Sequence, residues 1–276
     1  MRKIPFLNTA QSVTRLFLNP HISVNEKFEC IRFYFTAYGH KRLFATLPRS
    51  GYNYSIIMLN IAWDLAQGGT GEYYYNGSVL TSNVLLNTPL DWRTPLGKSA
   101  PTTPNSPVIF HTHLPYHHVV NYQKDRMKTA VLVRNLFNQL ESFLYHEGYD
   151  ESSQDKFVNS WQVDWVIDFC NSWGRFLETH RDAILLKYEE LVKNPMDTLT
   201  KLSDFWELDL PEHCIQDAIK KCTKEEMLKR IPQEERKTNK QVSNRKRDIF
   251  SKKNINIIRK KFKKRLKYDF GYTYEL

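Results

Sequence analysis

The class of fold follows from one junction, Thr46-Leu47-Pro48-Arg49-Ser50-Gly51-Tyr52-Asn53-Tyr54. The residues just before it, 42–46, form an apolar run that predicts a β-strand. The residues just after it place apolar side chains on one face of a helix, among them Ile56, Ile57, Leu59 and Trp63. Pro48 and Gly51 predict a tight turn between strand and helix. Such a turn points backbone N–H groups and the positive end of a helix at one place, which suits a phosphate or sulfate.

Apolar runs alternate with helix-like stretches along the rest of the chain. Further strands are predicted at residues 108–110, 130–133 and 183–186. A long helix between the last two carries aromatic residues at i, i+4 spacing, which is typical of a buried face: Phe157, Trp161, Trp165, Phe169 and Trp173. Strands separated by helices predict an α/β fold with a central, mostly parallel sheet flanked by helices.

The chain of 276 residues fits a single domain, and we expect residues 1–276 to form it. Residues 1–40 precede the first predicted strand as an N-terminal extension. Residues 67–106 are rich in Gly, Tyr and Pro and predict a long, turn-rich segment. Residues 236–276 are expected to form a basic C-terminal segment that packs on the domain.

Two helix starts are clear in the second half of the chain. Asn194 before Pro195 predicts a helix with Asn at its N-cap and Pro at its first position. Ser251 predicts the cap of a C-terminal helix, which carries its apolar residues on one side: Ile255, Ile258, Phe262 and Leu266. The opposite side of this last helix is nearly all Lys and Arg, so it is expected to face solvent.

The net charge of +10 comes from one segment. Residues 236–267 hold fifteen Lys and Arg against one acid, Asp248, and carry +14, whereas the remaining residues carry −4. A concentrated basic stripe needs an anionic partner, which could be a nucleotide, a polyanionic acceptor, nucleic acid or lipid. Because the chain is not basic throughout, nucleic acid is not the partner we expect.

The cysteines and the apolar runs bear on the compartment. The cysteines follow no metal-ligand spacing, and free thiols in a reducing compartment are expected, with a disulfide pair left open: Cys30, Cys170, Cys214 and Cys222. No stretch approaches the about 20 apolar residues that cross a bilayer. The N-terminal residues lack the continuous apolar core of a signal peptide. We therefore expect a soluble, cytoplasmic protein without a transmembrane segment.

The junction at residues 46–54 resembles the TYPKSGTTW loop of the sulfotransferase family, which holds the 5′-phosphosulfate of 3′-phosphoadenosine 5′-phosphosulfate (PAPS). Arg49 takes the basic position of that loop, as in many carbohydrate-acting members. Tyr52 and Asn53 stand at its two hydroxyl positions, and Tyr54 stands where the family has a Trp that packs on adenine. The resemblance implies a P-loop nucleotide-kinase-like fold with a helical C-terminal part, and donor contacts from Arg49, Ser50, Gly51, Tyr52, Asn53 and Tyr54.

A second motif follows the third predicted strand. Val131-Leu132-Val133-Arg134-Asn135, with Ser142 eight residues after Arg134, resembles the 3′-phosphate site of the same family. Arg134 leaves the end of the strand, and Ser142 lies two turns along the next helix. Both can therefore reach one phosphate, Arg134 through charge-assisted hydrogen bonds and Ser142 through its hydroxyl.

A third motif, His111-Thr112-His113-Leu114-Pro115, follows the second predicted strand. It resembles the family's KTHLP segment, whose His is the general base on the acceptor hydroxyl. A histidine suits that role, because its ordinary pKa of about 6.5 leaves it largely neutral at pH 7. The resemblance makes His113 the base, with Arg49 as the second catalytic residue, and it puts His111 in place of the family's Lys.

The same loop leaves a metal site open as an alternative. Four histidines crowd eight residues, and histidine is a common ligand of zinc and copper: His111, His113, His117 and His118. No carboxylate or cysteine stands among them, and the Leu-Pro pair favours the transferase interpretation. We expect no metal.

Two further segments resemble parts of the family's nucleotide site. Tyr188 lies in Leu185-Leu186-Lys187-Tyr188-Glu189-Glu190-Leu191, which is similar to the YEDL segment whose Tyr approaches the adenine. Family members clamp the 3′-phosphate with a mobile RKGxxGDW loop. Arg236 and Lys237 are the preferred counterparts, ahead of residues 245–247. No Gly occurs between Gly174 and Gly271, so this loop must have a different backbone geometry.

Four motifs in family order, each at the end of a predicted strand, imply a PAPS-dependent sulfotransferase. It would transfer a sulfuryl group to a hydroxyl or amine of a carbohydrate, phenol or other small molecule. An ATP-dependent kinase would need a GxxxxGK[ST] loop and an acidic magnesium site, and neither is visible. A non-catalytic nucleotide- or polyanion-binding protein that uses the basic segment, and a family fold without turnover, remain as alternatives. The oligomeric state stays open.

Overall fold

The computed structural model describes residues 42–76, 79–81, 86–89, 107–118, 127–146, 148, 153–236 and 249–274. The N-terminal extension, Cys30, Lys237 and the basic residues 245–247 lie outside the described residues. In the part of the chain that is described, no helix is long and apolar enough to cross a membrane. Three of the four cysteines are described, and each is buried with a free thiol: Cys170, Cys214 and Cys222.

Seven strands occur in the described residues. In chain order they are β1 Arg42–Thr46, β2 Tyr74–Asn76, β3 Val79–Thr81, β4 Leu86–Pro89, β5 Val108–Thr112, β6 Lys128–Val133 and β7 Ala183–Lys187. Five of them form one sheet in the order β4-β5-β1-β6-β7, and every neighbouring pair is parallel. β2 and β3 form a separate antiparallel pair. The predicted strands all lie in the parallel sheet, which confirms the α/β fold class.

Nine α-helices flank or follow these strands within the described ranges. They are α1 Tyr52–Ala66, α2 Leu136–His146, α3 Gln154–Val158, α4 Trp161–Thr179, α5 Tyr188–Lys193, α6 Pro195–Trp206, α7 Glu212–Lys221, α8 Lys224–Lys229 and α9 Lys252–Arg265. Short 3₁₀ turns follow β5 and α8, at Tyr116–His118 and Gln233–Glu235. The helical C-terminal part therefore begins after β7.

The sheet is covered on both faces, as parallel sheets require. Leu43 and Ala45 of β1 enter a core shared with α2, α4 and α9, whereas Phe44 of the same strand enters a core shared with α1, α6 and α7. β6 alternates in the same way, because successive side chains of a strand point to opposite faces. Each central strand thus joins two apolar layers.

Three expectations about local structure need correction. Phe157 lies on α3 and not on the long helix, because α3 ends before Asn159 and α4 begins only after Ser160. Trp161 at the start of α4 is 47% exposed, so the aromatic stripe is not buried along its whole length. The turn-rich segment 67–106 contains β2, β3 and β4.

The two predicted helix starts are found, with one difference. Ser251 accepts a hydrogen bond from the N–H of Asn254 at 3.2 Å and so caps α9. α6 starts at Pro195, but the side chain of Asn194 donates to the carboxylate of Asp197 instead of accepting from a helix N–H. Asn194 therefore bonds a side chain of the first turn, which is not the usual N-cap arrangement.

Helix α9 packs against α3 and α4. Ile258 and Phe262 of α9 are fully buried. Lys253 pairs with Asp155 at 2.5 Å, and Arg265 pairs with Asp164 at 2.5 Å. These pairs are exposed and contribute little free energy, so the buried apolar residues hold α9 in place.

Gly174 of α4 makes room for Tyr268, which follows α9. A Cβ at Gly174 would lie 2.2 Å from Cγ of Tyr268, and the Tyr268 hydroxyl donates to Glu178 at 2.6 Å. We expect Gly174→Ala to lower the free energy of unfolding by about 1 kcal/mol, because overpacking outweighs the gain in helix propensity. Urea denaturation measures this difference.

The matched control removes the neighbour. In a Tyr268→Ala background the clash is absent, so Gly174→Ala should raise the free energy of unfolding by about 1 kcal/mol through helix propensity alone. A stabilising effect of Gly174→Ala in the protein that retains Tyr268 would show that the C-terminal segment does not pack on α4 in this way.

Candidate active site

The four motifs meet at the carboxyl edge of the sheet. Residues 47–51 follow β1, His113 follows β5, Arg134 follows β6 and Tyr188 follows β7. These four strands are consecutive neighbours in the parallel sheet, in the order β5-β1-β6-β7. The carboxyl edge of an open parallel sheet is where ligands bind in such folds, and the sequence-predicted residues are concentrated there.

The turn after β1 is held together by Ser50. The N–H of Ser50 donates to the carbonyl of Leu47 at 3.1 Å, and its hydroxyl donates to the same carbonyl at 2.5 Å. The hydroxyl also lies 3.3 Å from the carbonyl of Leu132 on β6. Ser50 is fully buried. Its hydroxyl and its N–H therefore hold the turn in place.

The turn needs two residues with a left-handed backbone. Arg49 has φ 67° and Gly51 has φ 97°. Gly51 is also the N-cap of α1 and has no side chain to cap that helix. The N–H groups of the first turn of a helix have no intrahelical acceptor. The amides of Tyr52, Asn53 and Tyr54 therefore form the positive helix end that suits an anion.

Two arginines and a serine gather around this turn. Nη1 of Arg134 donates to the backbone carbonyl of Arg49 at 3.0 Å, and Nε of Arg49 donates to the hydroxyl of Ser142 at 3.4 Å. The side chain of Gln139 donates to the carbonyl of Pro48 at 2.8 Å. The predicted 5′- and 3′-phosphate residues are thus brought into one cluster.

Tyr188 supports that cluster from β7. The guanidinium of Arg134 lies over the Tyr188 ring, 4.4 Å from its centroid. The ring also lies close to Gly51, where a Cβ would lie 2.5 Å from Cδ2 of Tyr188. Tyr188 is wedged between the turn and Arg134, so it positions Arg134 through a cation–π contact. The sequence predicted only a contact with adenine.

The two histidines after β5 have different environments. His111 is buried and stacks on Tyr52, with ring centroids 3.5 Å apart and an interplanar angle of 11°. Burial lowers the pKa of His111 well below its ordinary value, and the neighbouring His113 lowers it further. Burial also raises the pKa of Tyr52. His113 is half-buried and stands edge-on to His111, 4.3 Å between centroids.

Thr46 and Glu189 received no role from the sequence. Thr46 contacts His111 and His113, and Glu189 contacts a residue just beyond the end of β6. The hydroxyl of Thr46 lies within hydrogen-bond distance of both histidines. Glu189 accepts from the N–H of Asn135 at 3.1 Å and from the hydroxyl of Tyr272 at 2.5 Å. Both residues lie within the motif segments, but the residues they contact are distant in sequence, so no local pattern identifies these contacts.

The remaining predicted site residues lie at the margin of the cluster. Tyr54 and Asn53 are partly buried on the first turn of α1. Burial raises the pKa of Tyr54, and Cys222 and Tyr188 raise it further. Arg236 is exposed, and its Nε donates to the carbonyl of Ile231 at 3.0 Å. None of the described contacts joins Arg236 to the cluster.

The described residues do not support the metal alternative, because no group of three or more His, Cys, Asp and Glu among them is arranged to hold a metal ion. His117 pairs with Asp168 at 3.2 Å. The side chain of His118 lies outside the described residues.

A family comparison agrees with this geometry. The model of the sulfotransferase domain matches residues 41–271, which include every strand and helix given above. The chain belongs to the sulfotransferase family.

Individual sulfotransferase relatives are distant. The chain is 30% identical over 110 residues to cytosolic sulfotransferase 4 of Arabidopsis thaliana, and the match spans 39% of this chain and 36% of that protein. Mouse sulfotransferase SULT7A1, solved with PAP, has a TM-score of 0.57 at 15% identity over 89% of this chain and 91% of its own. Retinol dehydratase, solved with retinol and PAP, has a TM-score of 0.54 at 15% identity over 88% of each chain. These likenesses confirm the P-loop-like fold.

The packing of Tyr188 against the turn can be tested with two glycines. Gly51 and Gly68 both have positive φ, 97° and 80°, but nothing lies within 4 Å of a Cβ at Gly68. Gly68→Ala should lower the free energy of unfolding by about 1–2 kcal/mol, because alanine is strained in a left-handed backbone. Gly51→Ala should lower it by about 1–3 kcal/mol more, because its Cβ also displaces Tyr188. Denaturant titrations give both values, and equal losses would contradict the close approach of Tyr188.

Proposed function

We propose that this sulfotransferase-family protein transfers a sulfuryl group from PAPS to an acceptor hydroxyl or amine. The observation that carries the proposal is the convergence of Arg49, Arg134, Ser142 and His113 on one edge of the sheet, around the uncapped first turn of α1. Cationic and N–H donors in one place suit a ligand with several phosphate and sulfate oxygens. Two solved proteins of this fold contain PAP, which is PAPS without its sulfuryl group.

The donor would be held from two sides. The amides of the first turn of α1 and the Arg49 guanidinium would take the 5′-phosphosulfate. Arg134 and Ser142 would take the 3′-phosphate, with Arg236 and Lys237 as further candidate contacts. Tyr54, on the first turn of α1, and Tyr188, whose ring lies against Gly51, are the candidate contacts of the adenine ring. Binding energy from the 3′-phosphate and adenine would then position the sulfuryl group for reaction.

The transfer step would be an in-line displacement at sulfur. His113 would take the proton from the acceptor as the new bond forms. Arg49 and the first-turn amides would stabilise the negative charge that develops on the leaving phosphate. His111 contributes no charge in this scheme, because burial beneath Tyr52 keeps its imidazole neutral.

The acceptor is proposed by chemical class alone. Retinol dehydratase has been solved with retinol and with androsterone, which are small molecules that carry a hydroxyl. We propose a small-molecule or carbohydrate acceptor that presents its hydroxyl or amine to Nε2 of His113. Residues 67–106 and 143–156 flank the motifs in sequence and are the candidate acceptor segments.

Calorimetric titration of PAP, with ATP and AMP as comparison ligands, tests the donor site. We expect the tightest binding for PAP, because it alone carries a 3′-phosphate for Arg134 and Ser142. Arg134→Ala should weaken PAP binding about 10- to 100-fold, the loss typical of hydrogen bonds to a charged group. Arg181→Ala, at an exposed site before β7, is the matched control and should bind PAP as the wild-type protein does.

The calorimetric result can contradict the proposal in two ways. Equal affinity for PAP, ATP and AMP would show that the protein has no site for the 3′-phosphate. Equal losses of PAP affinity for Arg134→Ala and Arg181→Ala would show that Arg134 makes no specific contact with that phosphate.

The role of His113 is tested by turnover. His113→Ala should lower the rate of sulfuryl transfer from PAPS about 10²- to 10⁴-fold, as loss of a general base does. PAP affinity should stay within about twofold, because the base does not contact the nucleotide phosphates in this scheme. Transfer of labelled sulfate to a panel of phenols, sugars and amines measures the rate. His117→Ala, on the same loop but paired with Asp168, should keep full activity.

A further inference from the structure

Thr46 makes three polar contacts with the two histidines. It is the last residue of β1 and is fully buried. Its backbone carbonyl lies 2.8 Å from Nδ1 of His113. Its hydroxyl lies 3.1 Å from the same Nδ1 and 2.9 Å from Nε2 of His111. Both oxygens of one residue therefore face the imidazole that is the candidate base.

The carbonyl contact fixes the tautomer of His113. A carbonyl oxygen accepts hydrogen bonds and has no proton to donate, so Nδ1 must carry the proton at a distance of 2.8 Å. A neutral imidazole has one protonated nitrogen, and the other nitrogen keeps its lone pair. Nε2 of His113 is then the basic atom.

The hydroxyl contact links the two rings. Because Nδ1 of His113 is the donor, the Thr46 hydroxyl accepts from it, and its own proton is then available for Nε2 of His111, 2.9 Å away. With that proton donated, His111 is neutral and carries its proton on Nδ1. Burial of His111, which lowers its pKa, agrees with this arrangement.

We propose that Thr46 is a positioning residue for the reaction, which holds the proton on Nδ1 of His113 and links that ring to His111. The role of Thr46 in the reaction rests on the proposed function, whereas its hydrogen bonds to the histidines do not depend on that function. Two residues, Leu47 and Pro48, separate Thr46 from Arg49. Thr46 therefore fixes the base relative to the turn that would hold the donor.

The transfer step shows what Thr46 contributes. The acceptor O–H bond breaks, and its proton forms a bond with Nε2 of His113. The electron pair of the acceptor oxygen forms the new bond to sulfur, while the bond from sulfur to the phosphate oxygen breaks and its pair leaves with the phosphate. The proton on Nδ1 stays. His113 becomes a cation, and its hydrogen bonds to the two Thr46 oxygens become charge-assisted and stronger.

The wild-type protein gives the first test, with no substitution that could disturb folding. Long-range proton–nitrogen correlation spectra of the imidazole rings, assigned with His113→Gln, report which nitrogen is protonated. We expect neutral His113 and neutral His111 both to carry the proton on Nδ1. A proton on Nε2 of His113 would overturn the proposal.

Thr46→Val removes the hydroxyl and keeps the carbonyl. We expect His113 to retain its tautomer and His111, without its donor, to show both tautomers. The value of kcat should fall about tenfold, as for one lost hydrogen bond in the transition state. The KM for PAPS and the affinity for PAP should stay within about twofold, because Thr46 makes no contact with the nucleotide in this scheme.

Thr46→Ser restores the hydroxyl and is the rescue variant. It should return kcat to within about threefold of the wild-type value. An unchanged kcat in Thr46→Val, or a loss that serine does not rescue, would overturn the positioning role. If the wild-type protein binds PAP but transfers nothing, the proposed function fails, whereas the spectra still decide whether Thr46 fixes the tautomer.

Discussion

The site depends on the position of β1 in the sheet. This strand pairs with β5 on one side and β6 on the other, in parallel, so the segments that leave the three strands start from one edge. The turn after β1 is then attached to β6 through the carbonyl of Leu132, which accepts from the N–H of Leu47 at 3.0 Å and lies 3.3 Å from the hydroxyl of Ser50. The locations of Arg49, His113 and Arg134 follow from this pairing.

The free energy cost of burying a charge explains which groups of the site are charged and where they lie. A charge removed from water without a partner is expensive, and burial lowers the pKa of His111, which stacks on Tyr52, well below its ordinary value and so favours the neutral imidazole. The positive groups, Arg49 and Arg134, lie where the backbone leaves the sheet. An arginine keeps its charge at every physiological pH. The attraction for an anion therefore comes from these two residues and from the helix end, and it does not depend on the protonation of the histidines.

The positions where the strands end could be predicted from the sequence, but the directions in which side chains point could not. Apolar runs and turn residues are local signals, so β1, β5, β6 and β7 and the motifs that follow them could be predicted. Ser50 has the expected place in the chain, but its hydroxyl turns inward because the carbonyls of the turn need a donor. Thr46 contacts histidines 65 and 67 residues away. Only the pairing of β1 with β5 brings these residues together, and no local pattern encodes that contact.

The last described residues of the chain complete the same edge. The hydroxyl of Tyr274 accepts from the N–H of Leu136 at 3.3 Å, at the start of α2, which is the helix that carries Ser142. Glu189 joins the hydroxyl of Tyr272 to the N–H of Asn135, and a carboxylate at that end of a helix also interacts favourably with the helix dipole. α9 is thus held at its start by its cap at Ser251 and beyond its end by the tyrosines. The tyrosines that follow α9 therefore join the C-terminal helix to the start of α2.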